Sequence, residues 1–184
     1  MYPSLRGGNQ NPGAKEGFYG EVDDVIAAAK YLRTIPYVDP QRIYLGGHST
    51  GGTLALLVAE MSGDFRGVFA FGPVEDVSGY PSEYLPFDTS NQREVELRSP
   101  GYWHSSIRSP TWVIEGEGGN IDSLRAMKAV NKNPLVHFVE ASDADHFSVL
   151  GRTNELIAGK IHTDTGPACQ ISLTSDEASS LFHR

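Results

Sequence analysis

The stretch Tyr44-Leu45-Gly46-Gly47-His48-Ser49-Thr50-Gly51-Gly52 reads G-x-S-x-G at Gly47, Ser49 and Gly51, the spacing of a nucleophile elbow. In such a turn a strand passes into a helix within a few residues and leaves one serine at the apex in a strained backbone conformation. The residues two before and two after that serine come so close that side chains would collide, which calls for glycine at both. The flanks supply the context that the motif requires. Arg42-Ile43-Tyr44-Leu45 is a short β-rich run, and Thr53-Leu54-Ala55-Leu56-Leu57-Val58-Ala59-Glu60-Met61 is a helix former with almost no polar side.

Outward from the elbow, strands and helices alternate. A helix is expected from Glu16 to Leu32, with Val22, Val25, Ile26, Ala29 and Leu32 on one stripe. Asp23 and Asp24 lie in its early turns and Lys30 and Arg33 near its end, as the helix dipole favours. Gly67-Val68-Phe69-Ala70-Phe71-Gly72 has the character of a strand buried on both faces. An irregular, aromatic and proline-rich insertion spans about residues 73–108, with a helical piece near Ser90–Leu97; such a segment serves as a cover over a site or as an ordered surface excursion. Pro110–Glu115 and Leu135–Glu140 are further strands, each followed by a helix, Asp122–Asn131 and Phe147–Ile161. In the tail, about 162–184, a short strand is expected at Cys169–Leu173. A helix follows it, capped at Thr174 or Ser175, with Glu177 completing a capping box. The alternation describes a single α/β domain over residues 1–184 with a mainly parallel sheet flanked by helices.

Composition narrows the classes. At 184 residues, 39% hydrophobic and with a mean hydropathy of −0.31, the chain has the make-up of an ordinary soluble domain. A net charge of −8 argues against a nucleic-acid partner or an anionic membrane surface. No run approaches the roughly eighteen apolar residues of a membrane span, and the first residues lack the apolar core of a secretory signal. The single cysteine, Cys169, excludes an internal disulfide and suits a reducing compartment, so a cytoplasmic location is expected. No glycine turn or neighbouring base frames Cys169 as a catalytic thiol, and no organic cofactor or metal is called for.

A serine hydroxyl needs a base to become a nucleophile, and six histidines compete for that role. His48 lies inside the elbow, where its side chain is expected to point away from the reactive face. His137 falls within a strand, His104 in the insertion, and His162 and His183 in or near the tail. His146 stands between the fourth strand and its helix, at the carboxyl end of the sheet, where the order Ser…acid…His requires a base. The orienting carboxylate should follow the preceding strand. In Glu115-Gly116-Glu117-Gly118-Gly119-Asn120-Ile121-Asp122 either Asp122 or Glu117 could reach, with Asp122 ahead, while Glu115 still belongs to the strand. Asp122 also fits a plain helix cap. Thr50, at the start of the elbow helix, offers its backbone N–H as one oxyanion donor.

With these segments in order, the chain resembles an α/β-hydrolase of the prolyl oligopeptidase-like (peptidase S9) type. Tyr2-Pro3-Ser4-Leu5-Arg6-Gly7-Gly8 is similar to the family's Arg-Gly segment after its fourth strand, and Gly20–Val25 to its acidic helix start. Val38-Asp39-Pro40-Gln41-Arg42-Ile43 is similar to the Asp-Pro-x-Arg-Ile lead-in, Gly47–Gly52 to the G-H-S-x-G-G elbow, and Asp145-His146-Phe147 to the histidine loop. The resemblance implies Ser49 as nucleophile and His146 as base, with an ester or peptide as substrate. Two departures stand out. Glycine occupies the place where the family carries its acid-loop aspartate, and the resemblance starts at the end of the family's fourth strand. The expectation is therefore an α/β-hydrolase fold lacking its first strands, N-terminally incomplete, with an exposed sheet edge that invites self-association.

Three function classes follow. The first is a serine hydrolase, peptidase or esterase. The second is a catalytically inactive or truncated hydrolase-like protein acting as a binding or partner subunit. A nucleotide-binding domain fares worst, because the glycine turn lacks the lysine of a phosphate loop.

Overall fold

Gly67-Val68-Phe69-Ala70-Phe71 is buried at every position, as is Thr111-Trp112-Val113-Ile114-Glu115-Gly116. Strands without a polar face can only lie in the middle of a sheet that is covered on both sides. The structure, a computed structural model, describes residues 1–183. Its sheet has four parallel strands, β1 (Tyr44–His48), β2 (Gly67–Phe71), β3 (Thr111–Gly116) and β4 (Val136–Ala141), in that spatial order.

Alternation along the strands sorts the core into two layers. Val68, Ala70 and Val113 face the helices α1 (Gly20–Leu32), α2 (Thr50–Met61) and α4 (Ile121–Val130), against Val25, Ala29, Leu56, Leu124 and Met127. Phe69, Phe71, Trp112 and Ile114 face the other way, onto Val149 and Ile157 of α5 (Ser148–Thr163). Leu173 and Ala178 from the tail complete that layer. Between β2 and β3 the chain makes four short 3-10 turns and one helix, α3 (Gln92–Arg98), which Asn91 caps by accepting from the N–H of Arg93. This excursion is tied down at its root. The N–H of Gly101 donates to Glu75 O at 2.8 Å, and Tyr80 Oη lies 2.8 Å from Thr53 Oγ1 on α2.

The strand expected at Cys169–Leu173 does not form. Its backbone environment is taken over by side chains: Asp164 accepts from the N–H of Gln170, and Arg66 donates to the carbonyls of Gly166 and Ala168. The capping box does form, with Thr174 and Glu177 opening the short helix α6 (Ser175–Ser180). That helix lies along the β4 edge, where Ser175 Oγ and Ser179 Oγ accept from the N–H groups of Glu140 and Ser142. The edge is thereby shielded from pairing with another strand. At the other edge, β1 pairs only with β2 among the described residues.

Asp164 is an enclosed charge at the far end of the sheet. Arg66 donates to it through Nε (2.7 Å) and Nη2 (2.8 Å), and Tyr44 Oη donates at 2.5 Å. The Arg66 guanidinium, followed by the Tyr44 hydroxyl and the Gln170 N–H, holds the carboxyl well below the ordinary aspartate range against the opposing effect of its burial. The cluster joins β1, the entry to β2 and the end of α5. Removing one partner of a buried pair leaves a stranded charge at a cost of about 3–5 kcal/mol. Asp164→Asn is therefore expected to lose stability of that order in urea titrations, and Arg66→Met placed on top of it to recover most of the loss.

His104 is buried with both ring nitrogens unpartnered among the described residues, edge-on to Phe138. Burial pushes its pKa down from 6.5 to about 4. The unfolded chain then takes up a proton that the folded one refuses, so stability is complete above pH 6.5 and falls as pH drops toward 4. The total is on the order of 3 kcal/mol. His104→Phe is expected to remove this component, measured as the difference between variant and wild type in denaturant titrations at pH 7 and pH 4.5.

Candidate active site

Ser49 has φ 57° and ψ −119°, a left-handed conformation for a residue with a side chain. Such a residue costs about 1–3 kcal/mol and persists only where its surroundings over-determine it. Here its N–H donates to Phe71 O at 2.8 Å, while its carbonyl accepts from the N–H of Thr53 at 3.0 Å. The glycines around it answer to different neighbours. A Cβ on Gly47 would lie 2.0 Å from Gly51 O, as the collision argument requires. A Cβ on Gly51 would meet nothing within 4 Å, whereas one on Gly52 would lie 2.3 Å from Phe71 O. On the helix side the steric demand therefore falls on Gly52, because α2 is pressed onto the end of β2. Thr50 opens α2, where a first-turn N–H has no acceptor within the helix.

His146 lies in the loop after β4, as its position between strand and helix implied, with its side chain 18% exposed. Its Nδ1 is 2.9 Å from Oε2 of Glu115, a carboxylate with no exposure at all. Neither Asp122 nor Glu117 makes this contact. Both are exposed, Asp122 in the first turn of α4 and Glu117 one residue past the end of β3. Glu115 is the penultimate residue of β3, in register with Glu140. A strand residue with a long side chain at the carboxyl end of the sheet can reach what a loop residue would otherwise supply. Its remaining acceptor sites are used too: Oε1 accepts from the N–H of Gly116 at 2.8 Å, and Oε2 from the N–H of Asn120 at 2.9 Å. These donors, together with His146, give hydrogen-bond partners to a carboxylate that has left water.

Two glycines make room for the pair. A Cβ on Gly119 would lie 2.5 Å from Glu115 Oε1, and one on Gly72 would lie 2.4 Å from His146 Cε1 and 2.8 Å from Glu115 Oε2. Gly72 also has φ +56°, and Asn120 Nδ2 donates to its carbonyl at 3.3 Å. The side chain at 115 fills the volume that a side chain at 119 would enter, which accounts for the glycine where an acidic residue was expected.

The remaining histidines lie elsewhere, with one exception. His104 is enclosed near the start of β3, His137 stacks on Trp112, His162 is in the last turn of α5, and His183 pairs with Asp143 at 2.8 Å. His48 does not turn away from the site. Its ring packs on that of His146 with centroids 4.4 Å apart, and its Nε2 is 2.8 Å from His146 O. Sequence alone carried no sign of this, since it depends on how far β4 and its loop fold over the elbow. The Ser49 hydroxyl makes no hydrogen bond to His146 among the described residues. No cluster of three or more His, Cys, Asp or Glu suited to a metal occurs among the described residues, and no described helix is long and apolar enough to cross a membrane.

A parallel sheet with a strained serine between its first strand and a buried helix, and a histidine–carboxylate pair beyond later strands, defines the α/β-hydrolase class of architecture. Solved structures agree: the acylaminoacyl peptidase of Pyrococcus horikoshii superposes with a TM-score of 0.69 at 13% identity, covering 88% of this chain and 30% of that one. An esterase of Pyrococcus furiosus superposes with a TM-score of 0.64 at 18% identity, covering 85% of this chain and 66% of that one. In sequence, the prolyl oligopeptidase family profile matches residues 10–110, and the chain belongs to that family. It is 36% identical over 129 residues to the probable dipeptidyl-aminopeptidase B of Metarhizium robertsii, a match over 69% of this chain and 12% of that protein.

The packing makes Gly119 a sensitive position. Gly119→Ala is expected to displace the Glu115 carboxylate from His146 and to destabilise the fold by about 1–3 kcal/mol. Gly118→Ala, whose nearest neighbours lie at 3.5 Å, is expected to do neither. Crystal structures and denaturant titrations of the two variants check this.

Proposed function

We propose that this chain carries the reacting groups of a serine hydrolase that cleaves an ester or peptide bond through an acyl-enzyme, with Ser49 as nucleophile, His146 as base and Glu115 as the orienting acid. The observation that carries the reading is the 2.9 Å contact between His146 and the enclosed Glu115, set over the same sheet end as the strained Ser49. Ser49 Oγ attacks the substrate carbonyl while His146 Nε2 takes its proton, and Glu115 stabilises the imidazolium that forms. The backbone N–H of Thr50 donates to the carbonyl oxygen as it becomes an oxyanion. The bond to the leaving group then breaks, with His146 returning the proton to it. Water, deprotonated by the same histidine, releases the acyl group and restores Ser49.

Family membership supports peptide substrates, as does the likeness to the fungal relative, a probable dipeptidyl-aminopeptidase. The fold likeness to an esterase keeps small esters in view as assay substrates. The aromatic excursion between β2 and β3, anchored to α2 through Tyr80, is the proposed cover of the substrate. The single free cysteine favours a cytoplasmic location. A second reading is a binding or partner subunit without turnover, for which β1, paired only with β2 among the described residues, would be the face of association.

A fluorophosphonate probe is expected to label Ser49 and to leave Ser49→Ala unlabelled. Unchanged labelling of that variant overturns the assignment. Glu115→Gln is expected to lower turnover of a p-nitrophenyl ester by about 10²–10⁴-fold, and Asp122→Asn to leave it near wild type. The reverse outcome would return the acid to the loop. A folded protein that neither labels nor turns over substrate supports the partner-subunit reading.

A further inference from the structure

We propose that His48 is a positioning residue that locks the height of the His146 loop over the elbow, an inference that rests on reading His146 as the base. Three contacts define the imidazole of His146. Its Nδ1 is held by Glu115 at 2.9 Å, one edge abuts Gly72, and its face packs on the His48 ring. A hydrogen bond at Nδ1 alone leaves the ring free to swing about that axis and leaves the loop free to rise. The loop is held to the turn after β3, where the Gly118 N–H donates to Ala144 O at 3.0 Å, and at the His146 peptide it is held by His48. A carbonyl oxygen can only accept, so His48 Nε2 carries the proton that it donates to His146 O across 2.8 Å.

The other end of the loop is fixed separately. Asp145 Oδ1 accepts from the N–H groups of Phe147 and Ser148 at 2.9 and 2.7 Å, pinning the loop to the start of α5. Between these anchors the His146 carbonyl is met by the His48 bond, from the end of β1. Phe147, 73% exposed, lies edge-on to both rings with centroids 5.6 and 5.1 Å away. His48 immediately precedes Ser49. The residue that sets the height of the base is thus covalently joined to the nucleophile, and the elbow that strains Ser49 also fixes the donor. One side-chain bond from within the motif ties the residue beside the nucleophile to the peptide of the base, independent of substrate.

The consequence is measurable without relying on turnover. The Nδ1–H of His146, bonded to Glu115, should give a low-field proton resonance in the full-length chain, identified by its loss in Glu115→Gln. That resonance is expected to stay sharp in His48→Gln, which keeps a donor for the carbonyl, and to broaden in His48→Phe, which keeps a ring and loses the donor. With a p-nitrophenyl ester, His48→Phe is expected to lower kcat on the order of 100-fold with KM unchanged, the effect of misplacing a reacting group by about 1 Å. His48→Gln is expected to stay within a few-fold of wild type. A resonance absent from the wild type, or equally sharp in His48→Phe, overturns the proposal, as does wild-type kcat in His48→Phe. Should Ser49→Ala keep its turnover, the hydrolase reading fails, while the comparison of resonances still decides the role of His48.

Discussion

The contact between His146 and the wholly buried carboxylate of Glu115 constrains the entire carboxyl end of the sheet. A carboxylate removed from water must be paid for by donors. The structure supplies the Gly116 and Asn120 N–H groups and the imidazole, so the turn from β3 into α4 is wrapped around the acid. Because the carboxylate and the ring occupy a fixed volume, positions 72 and 119 can hold no side chain. The strain at Ser49 is borne on the neighbouring side of the same surface, where Phe71 O accepts its N–H and excludes any Cβ from Gly52. The end of β2 therefore serves both sides of this surface: Phe71 buttresses the elbow, and Gly72 makes space for the His146 ring.

A second enclosed charge stabilises the opposite part of the molecule. The Arg66–Asp164 pair, with the Tyr44 hydroxyl, joins the first two strands to the end of α5 and holds the tail in an irregular path. The tail then returns along β4, where serine hydroxyls accept the outward N–H groups. One edge of the sheet is thus shielded by the chain's own tail, while β1 stands at the other. The chain spans 12% of the length of its fungal relative and 30% of the archaeal peptidase that it superposes on, so the open edge is a property of this segment as described.

Much of the architecture was legible because its signals are local. Uniformly apolar runs at 67–71 and 111–114 mark central strands, and the stripe of Val22, Val25 and Ala29 marks a helix with one buried face. Glycines around Ser49 mark a strained turn, and Thr174 with Glu177 marks a helix start. Where the reading failed, distant groups had intervened. Cys169–Leu173 has strand composition, yet Asp164 takes the N–H of Gln170 and Arg66 holds the carbonyl of Ala168 just before it. Position 51 carries glycine as the motif demands, but the contact that forbids a side chain falls at position 52, set by how β2 ends beneath α2.

By itself the sequence determined the α/β alternation, the elbow with Ser49 at its apex, and the placement of His146 in a loop beyond the fourth strand, since each follows from spacing and side-chain type over a few residues. Only the tertiary structure decided which carboxylate meets the histidine. Asp122 and Glu117 lie in the expected stretch, but their side chains face solvent, while Glu115 reaches the ring from inside β3. The apposition of His48 and His146, 98 residues apart, likewise arises from the stacking of four parallel strands in register. Spacing along a chain fixes which residues share a turn. Which side chains meet across a sheet is fixed by strand order, register and the volume left between them.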